Sequence, residues 1–203
     1  SLEKAAAETK EETGISFELA AEGTVTEITA TGIGAHASTP DVGNNALTVL
    51  LVFLGKLDFA SCPQVDMVRK TASLFPHGDV NGKTLGVAME DELSGNLTLS
   101  FNMLSVDAAS MDGEFDGRIP VCGNDENVLE VVRARMAEQG LTLLNKALIP
   151  PHHVSADSYF VKTLLAAFEL YTGRKGECQA LGGGTYVHHL ENGVAFGAAM
   201  PET

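Results

Sequence analysis

The sequence predicts an α+β protein that contains a ferredoxin-like (split βαβ) two-layer sandwich, followed by a partial α/β segment. From residue 24 to residue 150 the predicted order is strand, helix, strand, strand, helix, strand, with one extra helix after the first helix. This order is typical of the split βαβ sandwich. At 149–158 (IPPHHVSADS), two prolines and two histidines interrupt the pattern. We therefore predict two regions, 1–150 and 151–203.

Each predicted element of the first region is bounded by residues that cap helices or turn the chain. Asn45 and Asn124 stand at helix starts, and Gly14 and Gly140 follow helix ends, which is where these residue types are favoured. Alternating apolar residues indicate the strands. The predicted elements are, in order, a helix over 2–12, two strands within 17–33, helices over 46–57 and 62–75, strands over 95–108 and 113–123, a helix over 125–139 and a strand over 141–150.

The second region is short and has an incomplete set of elements. Its first part, 157–173, predicts a capped amphipathic helix that ends at Gly173. Residues 178–190 predict a strand, a triple-glycine turn and the start of a short helix, and 192–203 predict one more buried strand. A region of about fifty residues is near the lower size limit for an independent domain. We therefore expect this region to be part of a larger unit.

Composition and charge exclude several functional classes. The 203 residues are 44% hydrophobic and 20% charged, as in an ordinary globular protein, and no apolar stretch is long enough to span a bilayer. A net charge of −14 would repel the phosphates of nucleic acids. Three distant cysteines without a C-x-x-C motif argue for a reducing compartment. We expect a cytoplasmic protein with neither nucleic-acid nor membrane partners.

Three features are candidates for a functional site, and each has a plain structural alternative. His36 lies in GIGAHASTPDVGNNA among small neighbours that leave its imidazole accessible, although a lone loop histidine is usually only solvated. Arg118 lies in FDGRIPV, where its guanidinium could bind a carboxylate or an oxyanion, or could extend into solvent at the rim of a sheet. The glycines at 182–184 could hold an anion with backbone N–H groups, or could serve close packing.

Two histidine pairs, His152-His153 and His188-His189, raise the question of metal binding. Adjacent side chains diverge on both strands and helices. A zinc site would also need carboxylate or cysteine partners within reach, and the spacing suggests none. We therefore interpret these histidines as structural or surface residues and expect no metal ligand in this chain.

Together, these motifs resemble those of the co-catalytic di-zinc exopeptidases, a family that includes PepV-type dipeptidases, carnosinases, aminoacylases and desuccinylases. The similar stretches, in the family's order, are GIGAHASTPDVGNNALTVLLVFL, FDGRIPV, DSYFVKTLLAAFELYTGRKGE, GGGTYVHHLENGVAFG and the final MPET. The pattern is most similar to the bacterial PepV-type dipeptidases. The resemblance implies a zinc dipeptidase with two metal ions in a catalytic domain. It also implies an inserted ferredoxin-like domain that acts as a lid or dimerisation module.

The resemblance also implies roles for individual residues. By the motif G-x-x-A-H-x-S-x-P, His36 matches the catalytic lid histidine that stabilises the oxyanion of the tetrahedral intermediate. By D-x-R-x-P, Arg118 matches the lid arginine that binds the C-terminal carboxylate of the substrate. Gly182, Gly183 and Thr185 match the turn that lines the same carboxylate pocket.

The sequence departs from the family at the metal centre. The family's zinc ligands come from an N-terminal stretch with an H-x-D pair, a bridging aspartate and a Glu-Glu pair, and from a late histidine, and neither part is matched here. We therefore expect a fragment that comprises the lid (1–150) and a C-terminal piece of the catalytic domain (151–203). The two zinc ions would belong to the intact parent and none to this chain.

Two other functions remain open at this level. The lid could be a non-catalytic module that forms a homodimer or another interaction. Alternatively, the parent could be an N-acyl amino acid deacylase of the same family. The motifs favour a dipeptidase whose substrate has a free C-terminal carboxylate.

Overall fold

The computed structural model describes residues 1–197 and shows an α+β arrangement of helices and small antiparallel sheets. The final MPET motif and the end of the strand predicted over 192–203 lie outside the described residues. Within residues 1–197, no helix combines the length and the apolar character needed to cross a membrane.

The helices begin and end at the capping residues that the sequence indicated. Asn45 accepts hydrogen bonds from the backbone N–H groups at the start of its helix, and Ser158 accepts one from Val161. Gly14 ends the first helix in the left-handed conformation, with a φ of 77°. The helices are α1 (Leu2–Thr13), α2 (Ala46–Gly55), α3 (Pro63–Leu74), α4 (Glu130–Glu138), which a π-helical turn (Asp125–Leu129) precedes, and α5 (Tyr159–Thr172).

The strands form three separate antiparallel pairs within the described part of the chain. The strands are β1 (Phe17–Glu22), β2 (Val25–Ala30), β3 (Glu90–Asp91), β4 (Gly95–Asn96), β5 (Thr98–Val106) and β6 (Met111–Arg118). The hairpins β1–β2 and β5–β6 confirm two of the sequence predictions. In the longer hairpin, Thr98 lies opposite Arg118. Residues 1–197 contain no continuous four-stranded sheet, so the ferredoxin-like arrangement is not confirmed.

The strand predicted over 141–150 was wrong, because side chains take the backbone partners that a neighbouring strand would have supplied. The Arg133 guanidinium donates to the carbonyls of Leu143 and Asn145 at 3.1 and 2.7 Å. The Asp125 carboxylate accepts the N–H of Leu148 at 2.8 Å. These bonds satisfy backbone groups that would otherwise require a strand ladder. Among the apolar side chains of this segment, Leu143 is buried in the core, whereas Leu144 and Ile149 are exposed.

The elements predicted around the triple glycine also differ. Residues 178–181 form no strand, and 186–189 form a turn rather than the start of a helix. A strand needs a partner backbone, and among residues 1–197 no strand pairs with this segment.

The main core lies where α2, α3 and α4 pack against the β5–β6 hairpin. Phe75 stacks on Phe101 with ring centroids 4.5 Å apart and contacts Phe115 at 5.2 Å. A second stack joins Phe17 of β1 to Phe53 of α2 at 4.6 Å. Large aromatic surfaces buried in this way contribute much of the stability of a domain. They hold the loop after β2 and the end of β6 in fixed positions.

Candidate functional site

His36 lies on a loop whose two ends are joined by backbone hydrogen bonds. Ile33 and Asn44 exchange N–H···O bonds of 2.9 and 2.8 Å. A Cβ atom at Gly32 would overlap the Asn44 carbonyl oxygen, and a Cβ at Gly43 would lie 2.8 Å from that of Ala35. The glycines are therefore required for the close approach that closes the loop. This closure explains the glycines at 32 and 43, whereas a side chain at Gly34 would meet open space.

The His36 loop is also attached to the β5–β6 hairpin. Thr98 donates its hydroxyl to the carbonyl of Ala37 at 2.7 Å. The Asn45 amide donates to the Phe101 carbonyl at 2.8 Å, while its oxygen caps α2. Since Thr98 lies opposite Arg118, these contacts bring the loop to the end of the strand that carries the arginine.

Arg118 is half-buried at the end of β6. Its Nη2 donates to the carboxylate of Asp116 at 2.7 Å. Its Nε is buried and has no hydrogen-bond partner among the described residues. A buried donor without an acceptor is unusual in folded proteins. The Nε–H of this guanidinium is therefore a donor that no acceptor among residues 1–197 satisfies.

The glycine turn completes the arrangement. A Cβ at Gly183 would lie 4.0 Å from Nη1 of Arg118 and 4.0 Å from Cε1 of His36. A Cβ at Gly182 would lie only 2.6 Å from that of Ser38, so the turn packs closely on the His36 loop. The fold therefore brings His36, Arg118, Gly182 and Gly183 together from three distant parts of the chain.

Thr185 is placed differently from the other predicted site residues. Its carbonyl accepts the N–H of His188 at 3.1 Å. Among residues 1–197, no hydrogen bond links it to His36, Arg118 or the two glycines. The structure therefore places it on the same turn but shows no contact of its own with the arginine or the histidine.

Three of the four paired histidines, His152, His188 and His189, pack together beside this turn. His152 donates from Nε2 to the carbonyl of Gly193 at 2.7 Å, because a carbonyl oxygen can only accept. The ring of His188 lies 5.8 Å from that of His152 and 5.2 Å from that of His189. These contacts attach the segment after the glycine turn to the start of the second region.

The sequence also contains two short patterns of metal-ligand type, which the structure accounts for. The H-x-D spacing occurs at His77 and Asp79. Burial lowers the pKa of His77, whose Nδ1 lies 2.9 Å from the Thr48 hydroxyl, and Asp79 accepts two backbone N–H groups. Glu11 and Glu12 form an adjacent glutamate pair, and the carboxylate of Glu12 lies 2.6 Å from Nζ of Lys56. Within residues 1–197, no group of three or more His, Cys, Asp or Glu side chains could hold a metal ion. The described residues therefore do not fit a zinc centre.

The structure also has a surface cavity that lies apart from His36, Arg118 and the glycine turn. It has a volume of about 760 Å³ and lies between α3, the β5–β6 hairpin and the segment 140–145, with Phe101 and Phe115 in its wall. Neither His36 nor Arg118 lines it. Its lining combines apolar side chains with the carboxylates of Asp107, Asp112 and Glu114 and, within residues 1–197, contains no basic side chain that could bind a carboxylate ligand.

Sequence reasoning missed Ser38, Asp116 and Thr98 as parts of the site. Two of them could have been found by spacing, because Ser38 follows His36 by two residues and Asp116 precedes Arg118 by two. Asp116 and Arg118 lie on β6, and residues two apart on a strand share a face. Ser38 lies on a loop, where a serine commonly bonds to a group two residues away. Thr98 could not have been found without the register of the β5–β6 hairpin.

Comparison with known proteins gives consistent results. The chain is 34% identical over 177 residues to the Beta-Ala-Xaa dipeptidase of Lactobacillus delbrueckii subsp. lactis. It is 37% identical over 175 residues to the "Putative dipeptidase YtjP" of Bacillus subtilis and 29% identical over 178 residues to the "Putative dipeptidase" of Staphylococcus epidermidis. No protein-family model matches the chain.

These alignments cover most of this chain but a minor part of each relative. They include 87%, 84% and 87% of this chain and 37%, 36% and 37% of the respective relatives. The chain therefore spans little more than a third of the length of the curated relatives it matches. The similarity supports a relationship to the PepV-type dipeptidases, the group to which the motifs are most similar.

Proposed function

We propose that this chain forms the part of a dipeptidase site that binds the free C-terminal carboxylate and the scissile carbonyl of a dipeptide. One observation carries the proposal: Gly183 lies close to both groups, since a Cβ at this position would be 4.0 Å from Nη1 of Arg118 and 4.0 Å from Cε1 of His36. In a dipeptide, the carboxylate and the peptide carbonyl are separated by one residue. A guanidinium and an imidazole that lie near the same position can therefore bind these two groups of one ligand.

Arg118 is the carboxylate-binding residue in this proposal. Guanidinium groups bind carboxylates through two parallel hydrogen bonds, which are stronger than neutral ones. Its Nη2 is shared with Asp116, its Nε lacks a partner among the described residues, and its Nη1 faces Gly183. The backbone N–H groups of the glycine turn would add further donors for the same anion, with Thr185 in a supporting position.

His36 is the proposed oxyanion donor. Its imidazole is exposed, and it lies on a loop that is closed by the Ile33–Asn44 pair and attached to β5 through Thr98 rather than on a free tip. Donors held in place before the reaction stabilise charge that develops on a carbonyl oxygen, because they need no reorganisation. We therefore assign His36 a catalytic role toward the scissile carbonyl.

The wider assignment is part of the same proposal. We infer that residues 1–150 act as a lid with ferredoxin-like ancestry and that 151–203 belong to a catalytic domain of a cytoplasmic enzyme. Two zinc ions would supply Lewis-acid chemistry in that enzyme. Because no suitable group of ligands lies within residues 1–197, the ligands would come from sequence outside them. The small share of each relative that the chain covers supports this view.

Binding of a dipeptide to the 203-residue chain tests the carboxylate role directly. We expect the free-acid dipeptide to bind more tightly than its C-terminal amide, by roughly ten- to a hundredfold, since a hydrogen-bonded charge is involved. Arg118→Ala should remove this difference, and Arg118→Lys should restore only part of it. Titration calorimetry with both ligands measures the effect.

The control for that titration is Arg135→Ala, which removes an exposed arginine of α4 that pairs with Glu138. It should leave both affinities unchanged. Equal affinities for acid and amide in the unsubstituted chain would contradict the proposal. Tight binding of N-acyl amino acids instead of dipeptides would favour a deacylase. Concentration-dependent dimerisation without any ligand binding would favour an interaction module.

His36 is tested in an enzyme that carries this chain together with its metal ligands. His36→Ala should lower kcat by about a hundredfold or more, as the loss of an oxyanion donor does, with a smaller change in KM. An unchanged kcat would contradict the catalytic role. His153→Ala is the control, because His153 lies outside the packed contacts of the site.

A further inference from the structure

We propose that Ser38 is a positioning residue that fixes the imidazole of His36 as the tautomer with its proton on Nε2, and that links this histidine to the glycine turn. The inference rests on the proposed function, since the benefit of the fixed tautomer is donation to a substrate carbonyl. The geometry that supports it is independent of any substrate. It joins Ser38 to His36 on one side and to Gly182 on the other.

The hydrogen bonds around Nδ1 determine the tautomer. The backbone N–H of Ser38 lies 3.2 Å from Nδ1 of His36, and the Ser38 hydroxyl oxygen lies 2.8 Å from the same atom. A backbone N–H can only donate, so Nδ1 must present its lone pair. In the neutral imidazole, the single ring proton is then on Nε2. The hydroxyl can rotate and donate to the same lone pair.

The backbone around Ser38 is held from both sides, so these bonds do not depend on a mobile loop. The carbonyl of Ala37 accepts the Thr98 hydroxyl at 2.7 Å. The N–H of Thr39 donates to the carbonyl of His36 at 2.9 Å. A serine that bonds to a group two residues away forms a local turn of its own, and here the turn orients the imidazole.

Ser38 also contacts the glycine turn. A Cβ at Gly182 would lie 2.6 Å from Cβ and 3.5 Å from Oγ of Ser38. Real Cβ atoms do not approach so closely, so any side chain at 182 would displace Ser38 or the turn. The neighbouring Gly184 has open space around it. The close contact is therefore specific to one glycine, and it joins the carboxylate-binding turn to the residue that orients His36.

This arrangement matters because the two tautomers act in opposite ways on a carbonyl oxygen. With the proton on Nε2, the ring nitrogen farther from the loop is a donor and stabilises developing negative charge. With the proton on Nδ1, the same position would carry a lone pair and would repel that charge. Ser38 therefore selects the productive form of the ring before a substrate arrives.

Nuclear magnetic resonance of the full 203-residue chain tests the proposal without a substrate. Ring ¹⁵N–¹H correlation spectra report which nitrogen of a neutral histidine is protonated, and His36→Gln identifies the signals. We expect Nε2 to be protonated in the unsubstituted chain. Ser38→Ala keeps the backbone N–H and should leave Nε2 protonated. Ser38→Pro has no backbone N–H and should change the tautomer ratio of His36 by roughly three- to tenfold toward Nδ1–H, as the loss of one neutral hydrogen bond implies.

A second pair of variants tests the link to the turn. Gly182→Ala should change the His36 ring signals although residue 182 is not in contact with the imidazole, and Gly184→Ala should not. Circular dichroism confirms that each variant is folded. A protonated Nδ1 in the unsubstituted chain, or an unchanged His36 tautomer ratio in Ser38→Pro, would overturn the proposal. If the proposed function is wrong and this inference is right, the chain will not bind a dipeptide, but the His36 spectra will still be the expected ones.

Discussion

The two sides of the candidate site differ in how they are held. The loop 33–44 is closed by backbone hydrogen bonds and attached to β5 and to the end of α1, where Asn44 donates to the Thr13 carbonyl at 2.8 Å. The glycine turn is reached through an exposed segment and is held by its contact with Ser38 and by a few histidine contacts. The His36 loop is therefore part of the packed first region, whereas the glycine turn lies against the surface of that loop.

The distribution of buried residues explains this difference. Among the buried apolar side chains of residues 1–197, Val161 alone lies after residue 150. On α5, Tyr159 and Tyr171 are 87% and 86% exposed, and Leu170 is 78% exposed. Burial of apolar area is the main favourable contribution to folding. Residues 1–150 thus bury enough apolar area to hold the His36 loop and Arg118 in place, whereas residues 151–197 bury little apolar area.

The largest expected effect distinguishes the stabilities of the two regions. Leu97 is fully buried in the main core, so Leu97→Ala should lower the free energy of unfolding by about 2–5 kcal/mol. The matched change in the second region, Leu170→Ala, should alter it by no more than about 0.5 kcal/mol. Urea unfolding of both variants measures the difference. Equal effects would show that the second region is packed as tightly as the first.

A smaller effect concerns the closure of the His36 loop. In Gly32→Ala the new methyl group would overlap the Asn44 carbonyl oxygen, whereas in Gly34→Ala it would meet open space. We expect Gly32→Ala to lower the free energy of unfolding by about 1–3 kcal/mol, as overpacking does, and Gly34→Ala to be nearly neutral. Thermal unfolding compares the two variants. A stable Gly32→Ala chain with unchanged His36 signals would mean that loop closure does not position the histidine.

The next effect separates ligand binding from stability. A methyl group at Gly183 would make ordinary contacts, at 4.0 Å, with both Arg118 and His36. We therefore expect Gly183→Ala to leave the unfolding temperature almost unchanged but to weaken binding of a free-acid dipeptide by roughly tenfold, about 1.4 kcal/mol. Titration calorimetry measures this, with Gly184→Ala as the control. Unchanged affinity would place the carboxylate outside this gap.

The smallest expected effect is the dependence of the free energy of unfolding on pH that Asp91 of the first region causes. The backbone N–H of Ser94, with further donors that include the N–H of Cys122, lowers the pKa of Asp91 to about 2. Since the pKa is lowered in the folded state, its contribution to stability is complete above the ordinary value near 3.8 and is lost as the pH falls toward 2. In urea unfolding, the free energy of unfolding should therefore fall more steeply with decreasing pH for the unsubstituted chain than for Asp91→Asn. Glu92→Gln is the control and should behave like the unsubstituted chain. The same pH dependence for the unsubstituted chain and Asp91→Asn would contradict this prediction.

Much of the local structure could be predicted because its causes are local. Asn45 caps α2 and Gly14 ends α1 in a left-handed conformation, as the sequence indicated. The hairpin β5–β6 follows from alternation and a short turn. The segment 141–150 was wrongly predicted as a strand because alternation cannot reveal that Arg133 supplies its backbone partners.

The sequence by itself determined the helices, the hairpins, the motif residues His36 and Arg118, and the relationship to dipeptidases. Only the tertiary structure decided which residues meet. The β5–β6 register places Thr98 beside the His36 loop, and the chain folds back so that Gly183 lies close to both His36 and Arg118. The physical reason is that caps, turns and periodicity act within a few residues. The gap at the site depends on packing between segments that are far apart in the chain.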